Sequence, residues 1–348
     1  MAQSRYLAGC GAWKTAADGS EDFLGTLLPA GQQLGRRAVL VPMDDISAIK
    51  MAEHAAELGD AFLLPEQAGE LPRQLADKHA LSTICAALGV AHPDTRVMNG
   101  PADLRHAADA FGFPLVAKWA KPWLSTAGGK VRSTSVVHSA AEVTELVDRA
   151  AGQGGELLLQ RYIRPTPHAD WFFHGYFDRD SACVFAGTGR KERAYPPTAG
   201  LTTLGRWLPN PQVEEVATTM ASKLRYAGVL DMDFRYCARD DRYYLLDFNP
   251  RVGAQFRLFH DANGLDVVRS AYLGLTGQSR ESAPPSYGRT YLVENYDLFQ
   301  NLMKRRHGRG WWRSLRHANE LAWYSKDDMK PFLGMLQHTF RRGLRVRK

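Results

Sequence analysis

Two aspartates and an asparagine are spaced so that they can bind a metal ion together. They lie in the segment VLDMDFRYCARDDRYYLLDFNPR (229–251), in which polar and apolar residues alternate along two runs. Alternation with a period of two is typical of β-strands that are buried on one face. A hairpin centred on Asp240 sets Asp233 directly opposite Asp247. Asn249 shares the face of Asp247, because alternate residues in a strand point to the same side.

The other face of this hairpin is apolar and is predicted to contact the core. It would consist of Leu230, Met232, Phe234, Tyr236, Tyr244, Leu246 and Phe248. A slip of one residue would turn one of the two apolar sets away from the core. Even-numbered residues must therefore pair with even-numbered residues, so the loop around Asp240 is expected to contain an odd number of residues.

The residue types on the polar face favour binding of a hard divalent cation. Oxygen donors from two aspartates and one asparagine suit Mg²⁺ or Mn²⁺ and do not suit zinc. Magnesium in such sites completes its shell with water and with substrate phosphates. Pro250 ends the second strand, and Arg251 then stands where a phosphate on the metal would lie. The alternative is a surface hairpin whose polar face is merely solvated.

Three segments of the chain together resemble one enzyme superfamily. They are LLDFNPR (245–251), GRKERAYPPTAG (189–200) and RLFHDANGLDVVRSAYLGLTG (257–277). In this order they resemble the ATP-grasp superfamily, and most of all its carboxylate–amine ligases of the D-aspartate ligase type. The resemblance runs from about residue 38 to residue 277. It implies an α/β (α+β) fold in which two subdomains grip ATP.

The resemblance also implies a division of the chain into four parts. These are a partial pre-ATP-grasp αβ domain (1–95), an N-terminal ATP-grasp subdomain with a glycine-rich phosphate lid (96–160), a C-terminal subdomain with the metal site (161–280) and a basic helical extension (281–348). In the first part, patterning predicts strands at 38–42 and 62–64 and helices at 46–58 and 76–90. Nothing before residue 20 resembles the additional βα unit with which family members begin. We therefore expect either a trimmed first domain or a start that lies upstream.

The phosphate-binding residues are assigned by the resemblance. It gives phosphate contacts to Lys78 and Lys118, and it makes residues 121–132 a mobile lid containing Gly128 and Gly129. Glycine lets backbone N–H groups approach phosphate oxygens, and a lysine on a strand supplies a point charge. Taken alone, a glycine pair beside a lysine is more often a plain hairpin turn.

The resemblance places the adenine and ribose at a hinge that follows a buried strand. Adenine would bond to the backbone at Gln160 and Ile163, and Asp170 is the candidate acid for the ribose. The same sequence pattern is also compatible with an ordinary strand followed by a loop.

Four basic residues are assigned to the reacting groups. Arg190 and Lys191 would contact the transferred γ-phosphate or the acyl phosphate, where negative charge develops. Arg251 would bind the same phosphate beside the metals, since its planar fork suits an oxyanion. Arg257 would hold the substrate carboxylate, with a salt-bridge or packing role as the alternative.

Composition fits an enzyme that acts on small molecules. The 348 residues are 45% hydrophobic and 23% charged, and no apolar run approaches the length of a membrane span. The four cysteines have no CxxC spacing, which argues against a zinc site or a disulfide framework. Because the start of the chain also lacks a secretory signal pattern, a cytoplasmic location is expected.

The net charge of +7 is concentrated in residues 304–348, which contain KRRHGRGWWRSLRH and end in RRGLRVRK. Such a tail could contact nucleic acid or an anionic membrane. No nucleic-acid-binding module accompanies it. The favoured interpretation is a pair of C-terminal helices with solvated basic faces, without a nucleic-acid partner.

Three functions remain open at this stage. In the first, two Mg²⁺ ions held by Asp233, Asp247 and Asn249 bridge the β- and γ-phosphates of ATP. A carboxylate then forms an acyl phosphate, and an amine converts it to an amide with release of ADP and phosphate. Amino acids or short peptides are the expected substrates, and a homodimer is left open. The second is another ATP-grasp activity, a kinase or a carboxylase, and the third is a non-catalytic ATP-binding module.

Overall fold

The computed structural model describes residues 3–15, 21–124, 133–149, 155–196, 200–279, 281–303 and 309–345. These residues form helices and two main antiparallel sheets, one of four strands and one of seven. Gly128 and Gly129 of the predicted lid lie outside the described residues. In the part of the chain that is described, no helix is long and apolar enough to cross a membrane.

The N-terminal part is a small αβ unit. Its elements are β1 (Lys14–Thr15), β2 (Glu21–Asp22), α1 (Phe23–Leu34), β3 (Ala38–Val39), α2 (Asp45–Glu53), α3 (Ala55–Leu58), β4 (Phe62–Leu63), α4 (Leu71–Ala76) and α5 (Lys78–Leu88). β3 and β4 pair in parallel, and their apolar residues pack with those of α1 to α3 around Leu58 and Phe62. The predicted strands and helices are confirmed in order, although each strand is only two residues long. The helix predicted at 46–58 is divided at His54 into α2 and α3. α1 and α4 were not predicted.

The four-stranded sheet follows. Its elements are β5 (Thr95–Met98), α6 (Pro101–Phe111), β6 (Leu115–Trp119), β7 (Thr134–Val137), α7 (Ala140–Arg149) and β8 (Leu157–Arg161), with the strand order β5-β8-β6-β7. Leu115 and Ala117 of β6 pack into a core that includes residues of α6 and α7. Because successive residues in a strand point to opposite faces, Val116 and Lys118 project from the other face of the sheet.

The seven-stranded sheet carries most of the remaining chain. Its region consists of β9 (Asp170–Phe177), β10 (Cys183–Tyr195), β11 (Leu201–Trp207), α8 (Pro211–Lys223), β12 (Gly228–Cys237), β13 (Arg242–Asn249), α9 (Val267–Leu275), β14 (Thr290–Leu292), α10 (Glu294–Met303), α11 (Arg309–His317), β15 (Glu320–Leu321) and α12 (Lys330–Arg345). The strand order is β13-β12-β9-β10-β11-β14-β15. The C-terminal extension therefore adds β14 and β15 to the sheet edge, in addition to the helices that the sequence led us to expect.

Helices cover both faces of this sheet. On one face, α8 packs against Phe173 of β9 and Met232 of β12. On the other face, α9 packs against Phe172 and Tyr176 of β9. The odd-numbered residues of β12 share this second face with Phe172, since Asp233 is the cross-strand neighbour of Phe172. The polar row of the hairpin thus lies on the face opposite α8.

The hairpin of β12 and β13 has the predicted register near its open end and a different register near its loop. Asp233 pairs with Asp247, as predicted, but Phe234 pairs with Leu245. Leu246 is therefore the extra residue of a β-bulge, and Cys237 pairs with Arg242 to leave residues 238–241 as the loop. The expectation of an odd-numbered loop was wrong, because the bulge absorbs the extra residue.

The bulge also exchanges the roles of two neighbouring leucines. Leu245 is fully buried in the core with Phe248, whereas Leu246, the predicted core residue, lines a cleft on the other side of the sheet. Between Leu246 and the hairpin loop, the inserted residue therefore reverses which side chains of β13 face the core.

Candidate active site

A cleft between the two sheets collects most of the residues that the sequence singled out. Its walls are formed by β6, β7 and β8 on one side and by β10, β12 and β13 on the other. The predicted site residues that line it are Lys78, Lys118, Gln160, Ile163, Asp170, Lys191, Asp233, Asp247, Asn249 and Arg251. Segments that are far apart in the sequence therefore meet at one place.

Lysines neutralise the two facing carboxylates at the centre of the cleft. Nζ of Lys191 lies 2.7 Å from Oδ1 of Asp233. Oδ1 of Asp247 lies 2.9 Å from Nζ of Lys78 and 3.2 Å from Nζ of Lys118. Two carboxylates on adjacent strands repel each other unless positive charge lies between them. Here that charge comes from three ammonium groups on three different elements.

The same arrangement shifts the pKa values of these groups. Burial raises the pKa of Asp247, but attraction to Lys118 and Lys78 outweighs burial and holds this pKa well below its ordinary value. Burial also raises the pKa of Asp233, and repulsion from Asp231 and Asp247 keeps it raised despite Lys191. Burial lowers the pKa of Lys118, more than attraction to Asp247 raises it.

The donor atoms fit Mg²⁺ or Mn²⁺. Asn249 is buried, and its Nδ2 donates to Oδ2 of Asp231 at 3.3 Å, so its amide oxygen is the atom available to a cation. Among the residues that the structure describes, no group of three or more His, Cys, Asp or Glu side chains forms a metal site. The candidate ligands are instead two carboxylates and one amide oxygen, which hard cations prefer.

The β-bulge provides an anchor for Lys118. Its Nζ donates to the carbonyl oxygen of Leu246, the bulged residue, at 2.9 Å. A bulge leaves its extra residue outside the regular ladder of hydrogen bonds, so this carbonyl can accept from a side chain. Lys118 is consequently held between a backbone oxygen and the carboxylate of Asp247.

One end of the cleft is mostly apolar and contains a few polar groups. Its apolar lining includes Pro93, Val116, Val136, Ile163 and Leu246. The side chain of Gln160 donates to Thr95 at 2.9 Å, which fixes it within the sheet. Asp170 forms a two-pronged ion pair with Arg235, whose Nη2 lies 3.0 Å from Oδ2. Arg235 also donates to the carbonyl of Ile163, so these residues are ordered as one unit.

Arg251 lies at the other end of the cleft, between two carboxylates. Its Nη1 is 3.1 Å from Oδ2 of Asp231, and its Nε is 3.3 Å from Oδ1 of Asp45. Asp45 is not among the site residues that the sequence predicted. Asp44 does cap the helix, accepting from the N–H of Ser47, which leaves the next aspartate free to face Arg251. Two consecutive aspartates were the available signal, because one side chain is enough to cap a helix.

Two predicted residues do not line the cleft. Arg190 precedes Lys191 in β10 and points to the opposite face, where its Nη2 lies 2.7 Å from Oε1 of Glu192. Arg257 forms an ion pair with Glu320 of β15. Salt bridging is the alternative that the sequence left open for Arg257.

Comparisons with known proteins match this arrangement to one fold. No protein-family model matches the chain. Biotin carboxylase from Campylobacter jejuni, solved as a β,γ-ATP complex, superposes with a TM-score of 0.61 at 14% identity, covering 77% of this chain and 61% of that one. The chain has the ATP-grasp fold. The α/β (α+β) expectation and the resemblance to ATP-grasp proteins are thereby confirmed.

Curated relatives of this ATP-grasp chain are enzymes. D-aspartate ligase of Enterococcus faecium (strain Aus0004) is 22% identical over 243 residues, which cover 67% of this chain and 58% of that protein. Pyruvate carboxylase of Bacillus subtilis (strain 168) is 24% identical over 219 residues, covering 58% of this chain and 17% of that protein. The chain thus spans less than two thirds of the length of either relative.

Proposed function

We propose that this ATP-grasp protein is a ligase that joins a carboxylate to an amine, with conversion of ATP to ADP and phosphate. The observation that carries the proposal is the pair Asp233 and Asp247, neutralised by Lys78, Lys118 and Lys191 in one cleft. This arrangement of charges suits a metal-bound polyphosphate, because the metal can bind the carboxylates while the phosphates bind the lysines. The cleft is also long enough to extend from an apolar pocket to Arg251.

The apolar end of the cleft is the proposed nucleoside site. The side chains of Val116, Ile163 and Leu246 offer surfaces on both sides of a planar base, and the backbone at Gln160 and Ile163 would provide its hydrogen bonds. Asp170 would accept from a ribose hydroxyl, because its ion pair with Arg235 leaves lone pairs on both carboxylate oxygens.

The phosphates would then lie over the charged centre. Asp233, Asp247 and Asn249 would hold two Mg²⁺ ions, or Mn²⁺, in place of the lysine ammonium groups. The bound metal would supply neutralisation of the β- and γ-phosphate charges. Lys78 and Lys118, released from Asp247, would be free to bind phosphate oxygens directly.

The proposed chemistry needs orientation and charge, without a side-chain nucleophile. Lys191 and Arg251 line the same cleft as the metal ligands and would contact the transferred phosphoryl group. They would hold it while the substrate carboxylate attacks the phosphorus and ADP departs. The amine then attacks the acyl carbon of the acyl phosphate, loses a proton, and displaces inorganic phosphate to give the amide.

Amino acids or short peptides are the proposed substrates. Support comes from the relative that is a D-aspartate ligase. A second candidate, carboxylation of a substrate with bicarbonate, is favoured by the relative that is a pyruvate carboxylase. In that case the same lysines and metal ligands would serve, but ADP formation would require bicarbonate as the carboxylate that is phosphorylated.

The test is an ADP-release screen of amino acids in pairs, with mass spectrometry of the products. A ligase gives ADP only when a carboxylate and an amine are both present, together with a product lighter than the summed substrates by one water. ADP formation that requires bicarbonate in place of the substrate carboxylate distinguishes a carboxylase, and ADP from one substrate alone distinguishes a kinase. Retention of ATP without ADP in every combination would contradict all three activities and leave a nucleotide-binding module.

A further inference from the structure

A buried histidine and an aspartate lie directly behind the proposed metal site. His174 of β9, Asp231 of β12 and Asn249 of β13 form one row across three adjacent strands, because Asp231 is the cross-strand neighbour of both others. Nε2 of His174 lies 3.0 Å from Oδ1 of Asp231. His174 is completely buried, and Asp231 is 7% exposed. This row runs parallel to the row that contains Asp233 and Asp247.

The two carboxylate oxygens of Asp231 contact different partners. Oδ1 faces His174, whereas Oδ2 accepts from Nδ2 of Asn249 at 3.3 Å and from Nη1 of Arg251 at 3.1 Å. The contact with Nδ2 turns the amide oxygen of Asn249 away from Asp231. The contact with Nη1 holds one edge of the Arg251 guanidinium. One carboxylate therefore sets the orientation of a proposed metal ligand and of the proposed phosphate-binding arginine.

The packing around His174 leaves this pair little freedom. The rings of Phe172 and Phe259 lie 5.5 Å and 5.2 Å from the imidazole, measured between centroids. A Cβ atom at Gly253 would lie 2.3 Å from Cε1 of His174 and 2.7 Å from Cγ of Asp231. The backbone after Arg251 therefore closes directly over the pair, and any side chain at position 253 would displace it.

The surroundings of His174 link it to Asp231. Neither ring nitrogen has a hydrogen bond of regular geometry among the residues that the structure describes, but Nε2 approaches Oδ1 of Asp231 to 3.0 Å, within ion-pair distance. If the purpose of this residue were packing, a third phenylalanine would fill the same aromatic cluster without burying two ring nitrogens. The approach to Asp231, whose other oxygen contacts Arg251, accounts for a polar ring at this position.

We propose that His174 and Asp231 are positioning residues that orient Asn249 for the metal and Arg251 for the phosphate. The inference rests on the proposed function, since it assigns roles behind the same site. Partners of this kind fix the direction of a ligand, and their removal typically costs about 10–100-fold in metal affinity or activity. Asp231 also lines the cleft, whereas His174 is completely buried and is not expected to touch ATP or the substrates.

The experiment measures ADP affinity by calorimetry with and without Mg²⁺, in the wild type and in four variants. In His174→Phe, which keeps the ring but loses the contact with Asp231, we expect the gain in affinity from Mg²⁺ to fall by about tenfold or more. ADP affinity without Mg²⁺ should stay unchanged. His174→Gln should retain most of the gain, because a glutamine amide can still donate to Asp231. Asp231→Asn should lose the gain as His174→Phe does.

Asp297→Asn is the matched control. Asp297 is fully buried, and its Oδ1 lies 2.6 Å from Nε of Arg193 in a network away from the metal ligands. This variant should lower thermal stability but leave the effect of Mg²⁺ unchanged. An unchanged Mg²⁺ effect in His174→Phe and Asp231→Asn would overturn the inference. If His174→Phe does not fold, the Mg²⁺ effect in Asp231→Asn is compared with that in His174→Gln. A smaller effect in Asp231→Asn supports the inference, and equal effects overturn it. Absence of any Mg²⁺ effect in the wild type would instead count against the proposed function itself.

Discussion

Asp233 lies directly opposite Asp247 on neighbouring antiparallel strands, and each carboxylate is in contact with lysine ammonium groups from other elements. Four anionic oxygens and three ammonium groups are thus concentrated in a half-buried cleft. These ion pairs can be replaced when ligands bind, since a divalent cation can bind the carboxylates and a polyphosphate can bind the lysines.

Replacing Asp247 by asparagine should abolish ADP formation and leave the fold intact. The amide keeps the shape of the side chain but removes the negative charge that the metal and both lysines require. We expect a decrease in the rate of ADP release of about a hundredfold or more. Circular dichroism should be unchanged. Asp241→Asn, in the loop of the same hairpin, is the control and should retain wild-type turnover; a normal rate in Asp247→Asn would refute the metal assignment.

Lys191 and its neighbour Arg190 should respond differently to the same change. Lys191→Met removes the ammonium that faces Asp233, so ADP release should fall by about a hundredfold or more. Arg190→Met removes an ion pair with Glu192 on the opposite face, which is worth roughly 1 kcal/mol or less. Its turnover should remain close to that of the wild type. Equal losses in the two variants would show that Arg190 does act on the phosphate, as the sequence alone led us to expect.

The bulge predicts opposite effects for two adjacent leucines. Leu245→Ala truncates a fully buried core residue and should lower the free energy of unfolding by about 2–5 kcal/mol. Leu246→Ala should cost less stability, because its side chain lines the cleft, but it should weaken ADP binding. Urea denaturation and calorimetry measure the two quantities on the same samples. The reverse pattern would mean that the register of β13 has no bulge.

His92 should make stability depend on pH. Burial, followed by repulsion from Lys118 and Lys78, outweighs the effects of Pro93 and Asp247 and lowers the pKa of His92 to about 4, from an ordinary 6.5. Between these values the unfolded chain binds a proton that the folded protein does not. The free energy of unfolding should therefore fall as the pH decreases from about 6.5 to about 4, by on the order of 1–3 kcal/mol.

The variant His92→Gln isolates this contribution from that of other groups. Chemical denaturation of the wild type and of His92→Gln at several pH values between 4 and 7 gives the difference between the two slopes. The wild type should lose stability more steeply toward low pH. Parallel curves would show that His92 titrates normally in the folded protein.

Local patterning was enough for part of the site. The strict alternation in residues 229–251 predicted the hairpin and the pairing of Asp233 with Asp247, because the pleat of a strand has a fixed period of two. It could not predict the bulge at Leu246. Either leucine of the Leu245–Leu246 pair is apolar enough for the core, and the choice depends on how β13 packs against α8 and β6.

Residues that act through distant partners were beyond the reach of the sequence. His174 stands in the aromatic run WFFHGYF, where a histidine is compatible with an ordinary core position. Asp45 follows Asp44, and either residue could have been the cap of α2. Arg190 and Lys191 were indistinguishable by type and spacing. Which of them faces the cleft depends on the side from which the rest of the sheet is covered.

Most local elements, the order of the ATP-grasp segments and the residue types that suit a metal and phosphates could be predicted from the amino-acid sequence. Those properties follow from short-range periodicity and from chemistry that each side chain carries wherever it lies. Which charges meet depends on the folded chain: Lys78, Lys118 and Asp247 come from three segments, and His174 is linked to Asn249 and Arg251 through Asp231. Such contacts result from the packing of two sheets against each other, and this packing depends on the whole chain at once.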